Sequence, residues 1–540
     1  MPIPHTTSWP PADLDTILPT MRTWDAWYAS RTDRLAQIYA HGEERPTFKR
    51  HGLVGAVRRF FWGTSGTDAP AKKLHLPVAS DLCQASADLL FAEPPTLTVD
   101  DPDTQARLDR IIGEAAHDEL AAAAELGAAL GGTYVRVAWD QDVAQHPFLS
   151  RVDADRAWPE FRWGRLTAVT FWRKVREEGG TIWRHLERHE QQNGVGVIEH
   201  ALYRGGDSHL GRRVSLLEAA STQHLAQDGD GMGAIVSTHS PGLDVVYVPN
   251  QTPNRAWREH PLGANLGRSD LDGLEPLMDA LDETWSSWMR DIRIGKGRIV
   301  AAQSALDDHG PGKGAPLDLD REVYEAINTP PSRADAGGLP LEHIQFAIRV
   351  EEHRATTEAL LQQILRTAGY SAQTFGVDSG SGGAMTATEV QSRERRSFLT
   401  RDRKIRPWRP ALVTLAEKAL AIDQAVFNPA TKVGRPVTVE FGDTVQEAQE
   451  VLARTVQSLH QAQAASLKVR VQMMHPDWDD KTVEEEVELL RAEFGTPAPD
   501  PADLGPGGRG LNAGTFSGDR PEDDDLDDRT LADPPEDDEQ

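Results

Sequence analysis

The chain has 540 residues, enough for two to four domains and a sizeable core. Its formal charge of −27 argues against a nonspecific nucleic-acid binder working through overall charge. A single cysteine, Cys83, excludes an intrachain disulfide and a Cys-based zinc site, and it fits a reducing cytoplasm.

The N-terminus, MPIPHTTSWPP, predicts no secretory signal, and no apolar stretch approaches the roughly 20 residues that span a bilayer. A soluble intracellular protein is expected. Residues 14–39 read as helical, with Leu18, Met21, Trp24, Trp27 and Tyr28 near one side. Residues 74–92 predict a buried helix with Pro77 near its start, Cys83 as a small core residue and Pro94-Pro95 as its stop. Residues 105–130 continue in helix up to Gly131-Gly132. The period then changes to two. TYVRVAW, AVTFWRKV, TIWRHLERHE and GVIEHALYRG are strand-like, with Asn193-Gly194 as a hairpin turn between the last two. DVVYVPN is one more strand.

From Ser269 to Ile299 the chain predicts an amphipathic rod on the order of 25–35 Å long. Leu271, Leu274, Met278, Leu281, Trp285, Trp288, Met289 and Ile292 form its apolar stripe. Ser269 with Asp272 reads as a weak capping box, while Pro276 requires the helix to start or bend near it. Arg290 and Arg293 suit the C-terminal end of the helix dipole, and Gly295 and Gly297 stop the rod. The strands RIVAAQ and EVYEAIN, around a Gly/Pro-rich loop at residues 311–316, make a small β-containing insert. A second rod follows over residues 341–367, apolar at Ile348, Leu360, Leu361, Ile364 and Leu365, and Gly369 ends it.

SAQTFGVDSGSGGAM is next, a flexible and almost uncharged loop whose one ionisable side chain is Asp378. A capping box of Thr386 and Glu389 opens a third helix running to about residue 423, which Pro407 and Pro410 must bend or break. VTVEF is a strand. Helices follow over 446–465, 466–474 and 482–494, the last opened after HPDW by a box of Thr482 and Glu485. From residue 495 onward proline, glycine and acid dominate, which predicts disorder.

No catalytic residues, metal or cofactor are predicted. HLERH (185–189) lacks the order of a zinc-protease motif and its alternation suggests a strand. QDGDGMG has no glutamate at the bidentate position of a calcium loop. GPGKGAP lacks the Walker A order. The basic run of the third helix comprises Arg393, Arg395, Arg396, Arg401, Arg403, Lys404, Arg406 and Arg409. It reads as a solvated face, or as a contact with a polyanion or an acidic neighbouring subunit.

The joint order of these parts resembles the portal protein, or head-tail connector, of tailed double-stranded DNA bacteriophages. The resemblance is carried by LPVASDLCQASADLLFAEPP, GGTYVRVAW, the WRHLERHE–GVIEHALYRG hairpin, NLGRSDLDGLEPLMDALDETWSSWMRDIRIGK, TATEVQSRE, and HPDW with the acidic helix after it. It implies an α+β fold and a homo-oligomeric ring, expected to be a dodecamer. Residues 1–268 would form the wing, 269–294 the first stem helix, 295–340 the clip and 341–369 the second stem helix. Residues 370–385 would be the tunnel loop, 386–425 the long bent helix of the wing, 426–495 a strand plus crown helices, and 496–540 an acidic tail.

The implied function is a channel at one capsid vertex through which double-stranded DNA is packaged and ejected. The implied partners are that DNA, the terminase packaging motor, the major capsid and scaffold proteins and a head-tail adaptor protein, with no membrane. The protein would assemble in the host cytoplasm and reside in the virion. Gln373, Thr374, Phe375, Val377, Asp378, Ser379 and Ser381 are the candidate DNA-channel residues, and the basic run is the candidate subunit interface or polyanion contact. A near-neutral loop suits sliding, because every phosphate contact must break at each step. Two other classes stay open: another capsid or scaffold component, and a cytoplasmic carbohydrate-active enzyme, suggested by fourteen tryptophans and many carboxylates.

Overall fold

The structure is a computed structural model that describes residues 8–41, 74–226, 231–295, 298–302, 325–327, 342–344, 348–376, 387–442, 449–475 and 478–494. The chain divides into two units, Met1–Val445 and Gln446–Gln540.

In the first unit the opening helical stretch is two helices, α1 (Ile17–Tyr28) and α2 (Thr32–His41). They part at Ser30, whose φ of 51° cannot continue a right-handed helix. α3 (Val78–Phe91) starts directly after Pro77 and buries Leu82, Cys83, Ala87 and Leu90. β1 (Thr96–Thr98) leads to α4 (Pro102–Ile111), where Asp101 accepts from the Thr104 N–H at 3.1 Å and Pro102 opens the first turn. The predicted continuous helix over 105–130 breaks where Ile112 and Gly113 leave helical geometry, and α5 (Glu114–Leu130) is separate. Gly131 closes α5 with φ 89°. A Cβ on Gly131 would lie 2.7 Å from the Gly267 carbonyl, and one on Gly267 would lie 2.1 Å from the Gly131 carbonyl. The end of α5 and the approach to the first rod therefore cross where neither residue has a side chain.

β2 (Gly132–Ala138) pairs antiparallel with β3 (Phe148–Asp153). The largest sheet runs β4 (Ala157–Arg162), β5 (Arg165–Glu178), β6 (Thr181–Gln192), β7 (Val195–Gly205), β8 (Arg212–Val214), with β9 (Ala234–Pro241) also on β7. β10 (Val245–Pro249) returns to β2. The predicted hairpin turn is present, with Asn193 and Gly194 at φ 52° and 88°. β1, β3, β4, β8 and β9 are strands that the alternation did not reveal.

The first rod is α6 (Glu275–Ile294), 20 residues and about 30 Å long. Pro276 lies in its first turn, so the helix starts there, and Ser269 is not its cap. Ser269 Oγ instead donates to the Ala129 carbonyl at 2.6 Å and accepts from the Leu271 N–H at 3.0 Å. Leu271, Leu274, Met278 and Leu281 enter the main core beside Trp24, Trp27, Leu82, Tyr134 and Tyr370. Next come β11 (Arg298–Ala302), β12 (Glu325–Ile327) and β13 (Glu342–Ile344), with β11 central, parallel to β12 and antiparallel to β13.

β13 corrects the expectation of a rod from residue 341. Pairing of Arg298 with Ile344 and Val300 with Glu342 holds that stretch extended. The second rod, α7 (Val350–Ala368), begins only at Val350 and ends at Gly369, φ 100°. α8 (Ala387–Ile422) is 36 residues long and runs unbroken through Pro407 and Pro410. Both prolines sit on its exposed or half-exposed side, where a carbonyl left without an intrahelical donor can meet solvent. Its inner side buries Ile405, Trp408, Leu412, Leu415 and Ala416 against Leu108, Leu120, Val135 and Val137.

β14 (Thr438–Glu440) pairs with β1, which places it with the first unit and not with the helices after it. The second unit has α9 (Gln449–Gln461), α10 (Leu467–Met474) and α11 (Asp480–Phe494), with Val471, Val483 and Val487 as its core. Asp479, not Thr482, caps α11, accepting from the Thr482 N–H at 3.0 Å. The Thr386 cap, the GPGKGAP loop and residues 496–540 lie outside the described residues. The fold is α+β, as expected.

Candidate functional site

The two rods pack as an antiparallel pair. On α6, Asp291 accepts from Arg349 Nη2 at 2.9 Å and from His353 Nε2, on α7, at 2.9 Å. The His353 bond, with Arg349, holds the Asp291 carboxyl below the usual carboxylate range. Trp288 stacks on His353, centroids 6.0 Å apart. Burial fades along the pair. Leu281 is in the core, Trp285, Trp288 and Met289 are half-buried, and Ile292, Ile348 and Val350 are 39%, 36% and 43% exposed. Among the described residues Trp285 Nε1 is buried with no hydrogen-bond partner. The outer half of the apolar stripe is thus only partly covered by the described chain.

Where the rods meet α8, a buried carboxylate gathers donors from several directions. Asp270, just before α6, accepts from Asn250 Nδ2 at 2.8 Å, Gln251 Nε2 at 2.7 Å, Tyr370 Oη at 2.9 Å and Lys404 Nζ at 2.5 Å. Lys404 also donates to Ser86 Oγ of α3 at 2.5 Å. The Asp270 and Lys404 side chains are 0% and 2% exposed. Burial, then the Asp270 charge, pushes the Tyr370 phenol well above its usual range, so it remains a donor. This cluster ties α3, the end of β10, both rods and α8 together. Nothing in the sequence marked Asp270, because one aspartate in an acidic chain carries no pattern.

The basic run splits by helical face. Lys404 is spent on Asp270, and the buried Arg401 donates to the carbonyls of Leu89, at 2.7 Å, and Gly442, so neither is a surface contact as expected. Arg395, Arg396, Arg403, Arg406 and Arg409 are exposed on the opposite face. Arg396 donates to the Arg366 carbonyl at 2.7 Å. For Arg395, Arg403, Arg406 and Arg409 no carboxylate partner occurs among the described residues. The side chain of Arg393 lies outside them.

The expected loop is fixed at its start. Gln373, Thr374 and Phe375 form a single 3₁₀ turn. Thr374 Oγ1 is 2.8 Å from Ser397 Oγ of α8, the Ser371 N–H donates to the same hydroxyl at 2.9 Å, and Phe375 lies edge-on to Tyr370. Thr374 is thus held to α8 and Phe375 to Tyr370. Val377, Asp378, Ser379 and Ser381 lie outside the described residues.

HLERH lies on β6, so His185, Glu187 and His189 share one face. Glu187 pairs with Arg136 and accepts from His189 Nε2 at 2.7 Å, while His189 Nδ1 donates to Asp244 at 2.9 Å. Burial opposes a charged ring, yet Asp244 and Glu187 outweigh it and push His189 up to about 9. His185 and His200 stack at 5.3 Å, and burial lowers them to about 3 and about 4. Among the described residues no group of His, Cys, Asp or Glu is arranged to hold a metal ion, and no helix is long and apolar enough to cross a membrane.

Comparison with known proteins gives one family. The sequence matches "Phage portal protein, SPP1 Gp6-like" over residues 10–496. The comparison with curated proteins gives no match. Among solved structures, a chain described as "Neck of native GTA particle computed with C12 symmetry" is similar at 14% identity and a TM-score of 0.40, over 81% of this chain and 97% of that one. So distant a likeness carries no functional weight. The family match runs from before α1 to the end of α11 and takes in both rods and the small sheet between them. The chain therefore belongs to the SPP1 Gp6-like family of phage portal proteins, structural proteins of the head-tail connector.

Proposed function

We propose that the chain closes into a homo-oligomeric ring, a dodecamer as the resemblance implies, at one vertex of the capsid. Its central channel passes double-stranded DNA during packaging and ejection. The observation that carries this reading is family membership over residues 10–496. The half-covered apolar stripe at the outer ends of α6 and α7 supports it, since neighbouring rods laid alongside would remove that surface from water. In this reading α6 and α7 form the stem, β11–β13 the clip toward the tail and the terminase motor, and the second unit the crown. The large sheet and α8 form the wing toward the major capsid and scaffold proteins. A head-tail adaptor protein joins the ring to the tail, assembly takes place in the host cytoplasm, and the role needs no catalytic turnover. The exposed arginine face of α8 meets an acidic neighbour.

Imaging or native mass measurement of the purified chain at micromolar concentration is expected to show rings with a central hole. A stable monomer at that concentration would overturn the reading. A second expectation concerns the loop that begins at Gly376, φ 65°. Replacing residues 377–385 with a tight turn should leave folding and ring size unchanged while DNA packaging falls to background. Normal packaging by that variant would make the segment an ordinary connection. Failure to form rings would make it part of the scaffold.

A further inference from the structure

β4 and β5 are joined by Trp163-Gly164, both left-handed at φ 53° and 73°, which is a two-residue type I′ turn. Asn193-Gly194 makes the same turn between β6 and β7 of the same sheet, at φ 52° and 88°. Asparagine suits that backbone, because a short polar side chain tolerates the left-handed region. A bulky side chain there is an outlier. The turn therefore gains nothing from tryptophan. Packing gains nothing either, because Trp163 is 96% exposed.

Two further features lie at the same tip. Arg162 and Arg165 are the terminal register pair, both exposed, and like charges directly opposite each other on a sheet repel. Among the described residues neither has a carboxylate partner. The tip is also held from below. Phe161 packs on the main core, 6.0 Å from the Tyr247 ring, and the bulge at Glu160/Phe161 is pinned by Thr167 Oγ1 donating to the Glu160 carbonyl at 2.9 Å. A bulge of this kind bends its strand and re-aims the side chains beyond it. A conformationally costly residue, an uncovered indole and a repelling pair thus coincide on a firmly based hairpin. Local rules broken together without local gain mark a functional site.

We propose that Arg162, Trp163, Gly164 and Arg165 form a protein-docking anchor whose occupant is the acidic surface of a second copy of this chain, the next subunit of the ring. The inference rests on the ring reading above. With a net charge of −27, a second copy offers mainly carboxylates to the two guanidinium groups. Tryptophan and arginine are among the side chains most enriched at interface hot spots. A tip set against a different surface of its neighbour is a heterologous contact, the kind that closes rings.

The test is Trp163→Asn, which copies the sister turn and preserves the β4–β5 register. Circular dichroism and the melting temperature of the free subunit should be unchanged or slightly raised. By native mass measurement on the full chain, the concentration at which rings dissociate should rise about tenfold or more. In the wild type, hydroxyl-radical footprinting should find Trp163 protected in the ring and reactive in the dissociated subunit. Rings of Trp163→Asn that persist to the wild-type dilution, or a Trp163 equally reactive in both states, would overturn the anchor and leave the ring reading standing. A wild-type chain that forms no rings would remove both. Normal rings that lose bound double-stranded DNA would assign the tip to nucleic acid and equally overturn the proposal.

Discussion

Replacing Lys404 with methionine should destabilise the first unit by about 3–5 kcal/mol, the usual cost of leaving one member of a buried ion pair alone. Methionine keeps most of the volume and removes only the ammonium. Asp270, with a side chain fully shielded from solvent, would then keep neutral donors from Asn250, Gln251 and Tyr370 but, among the described residues, no paired countercharge. Ser86 would lose its bond to the ammonium and keep the one to Tyr370. Chemical denaturation of the full chain measures the effect as a lower midpoint with an unchanged slope. Combining Lys404→Met with Asp270→Asn should recover much of the loss, because both charges then go together. A single-variant cost below about 1 kcal/mol would mean that the neutral donors suffice and that the ammonium adds little.

The histidine cluster of the large sheet should give stability a maximum near pH 6.5 in two opposed limbs. His189 has a folded value of about 9 against about 6.5 for a free histidine, so its contribution is complete below pH 6.5 and disappears as pH rises through 9. At about 1.4 kcal/mol per unit, that limb is about 3 kcal/mol in size. His185 and His200 act in the opposite sense. Burial keeps them neutral to about 3 and about 4, so their contribution is present above pH 6.5 and is lost as pH falls toward 4. Glu187, whose carboxyl is held low by Arg136 and His189 against its burial, steepens the acid limb below the ordinary glutamate range. Denaturant midpoints measured from pH 4 to 9.5 should trace this curve. His189→Gln should flatten the alkaline limb while lowering the maximum, since Gln donates a hydrogen bond without supplying charge. An alkaline limb unchanged in that variant would assign it to another group.

Periodicity was informative wherever burial alone selected the structure. α3 and both rods follow from their apolar stripes, and the β6–β7 hairpin from alternation around Asn193-Gly194. It was uninformative where a distant partner decided. Residues 342–344 are extended because Arg298–Val300 pairs with them, and Ser269 is drawn to the end of α5 and not to the start of α6. In the basic run, charge alone carries no information about which face a residue occupies. Ser397, Thr400, Ile405 and Trp408 are buried at helical spacing, and Arg401 and Lys404 fall among them. That spacing was the available signal that these two point inward. Trp163 carries no such signal, because a hairpin tip contributes nothing to a core pattern.

The small sheet between the rods has a mechanical consequence. Arg298 pairs directly with Ile344, and Val300 with Glu342, so the outer ends of α6 and α7 are fastened to each other at the base of the insert. β12 is laid along the other edge of β11. The register of β11 on β13 thereby limits how far one rod can slide along the other.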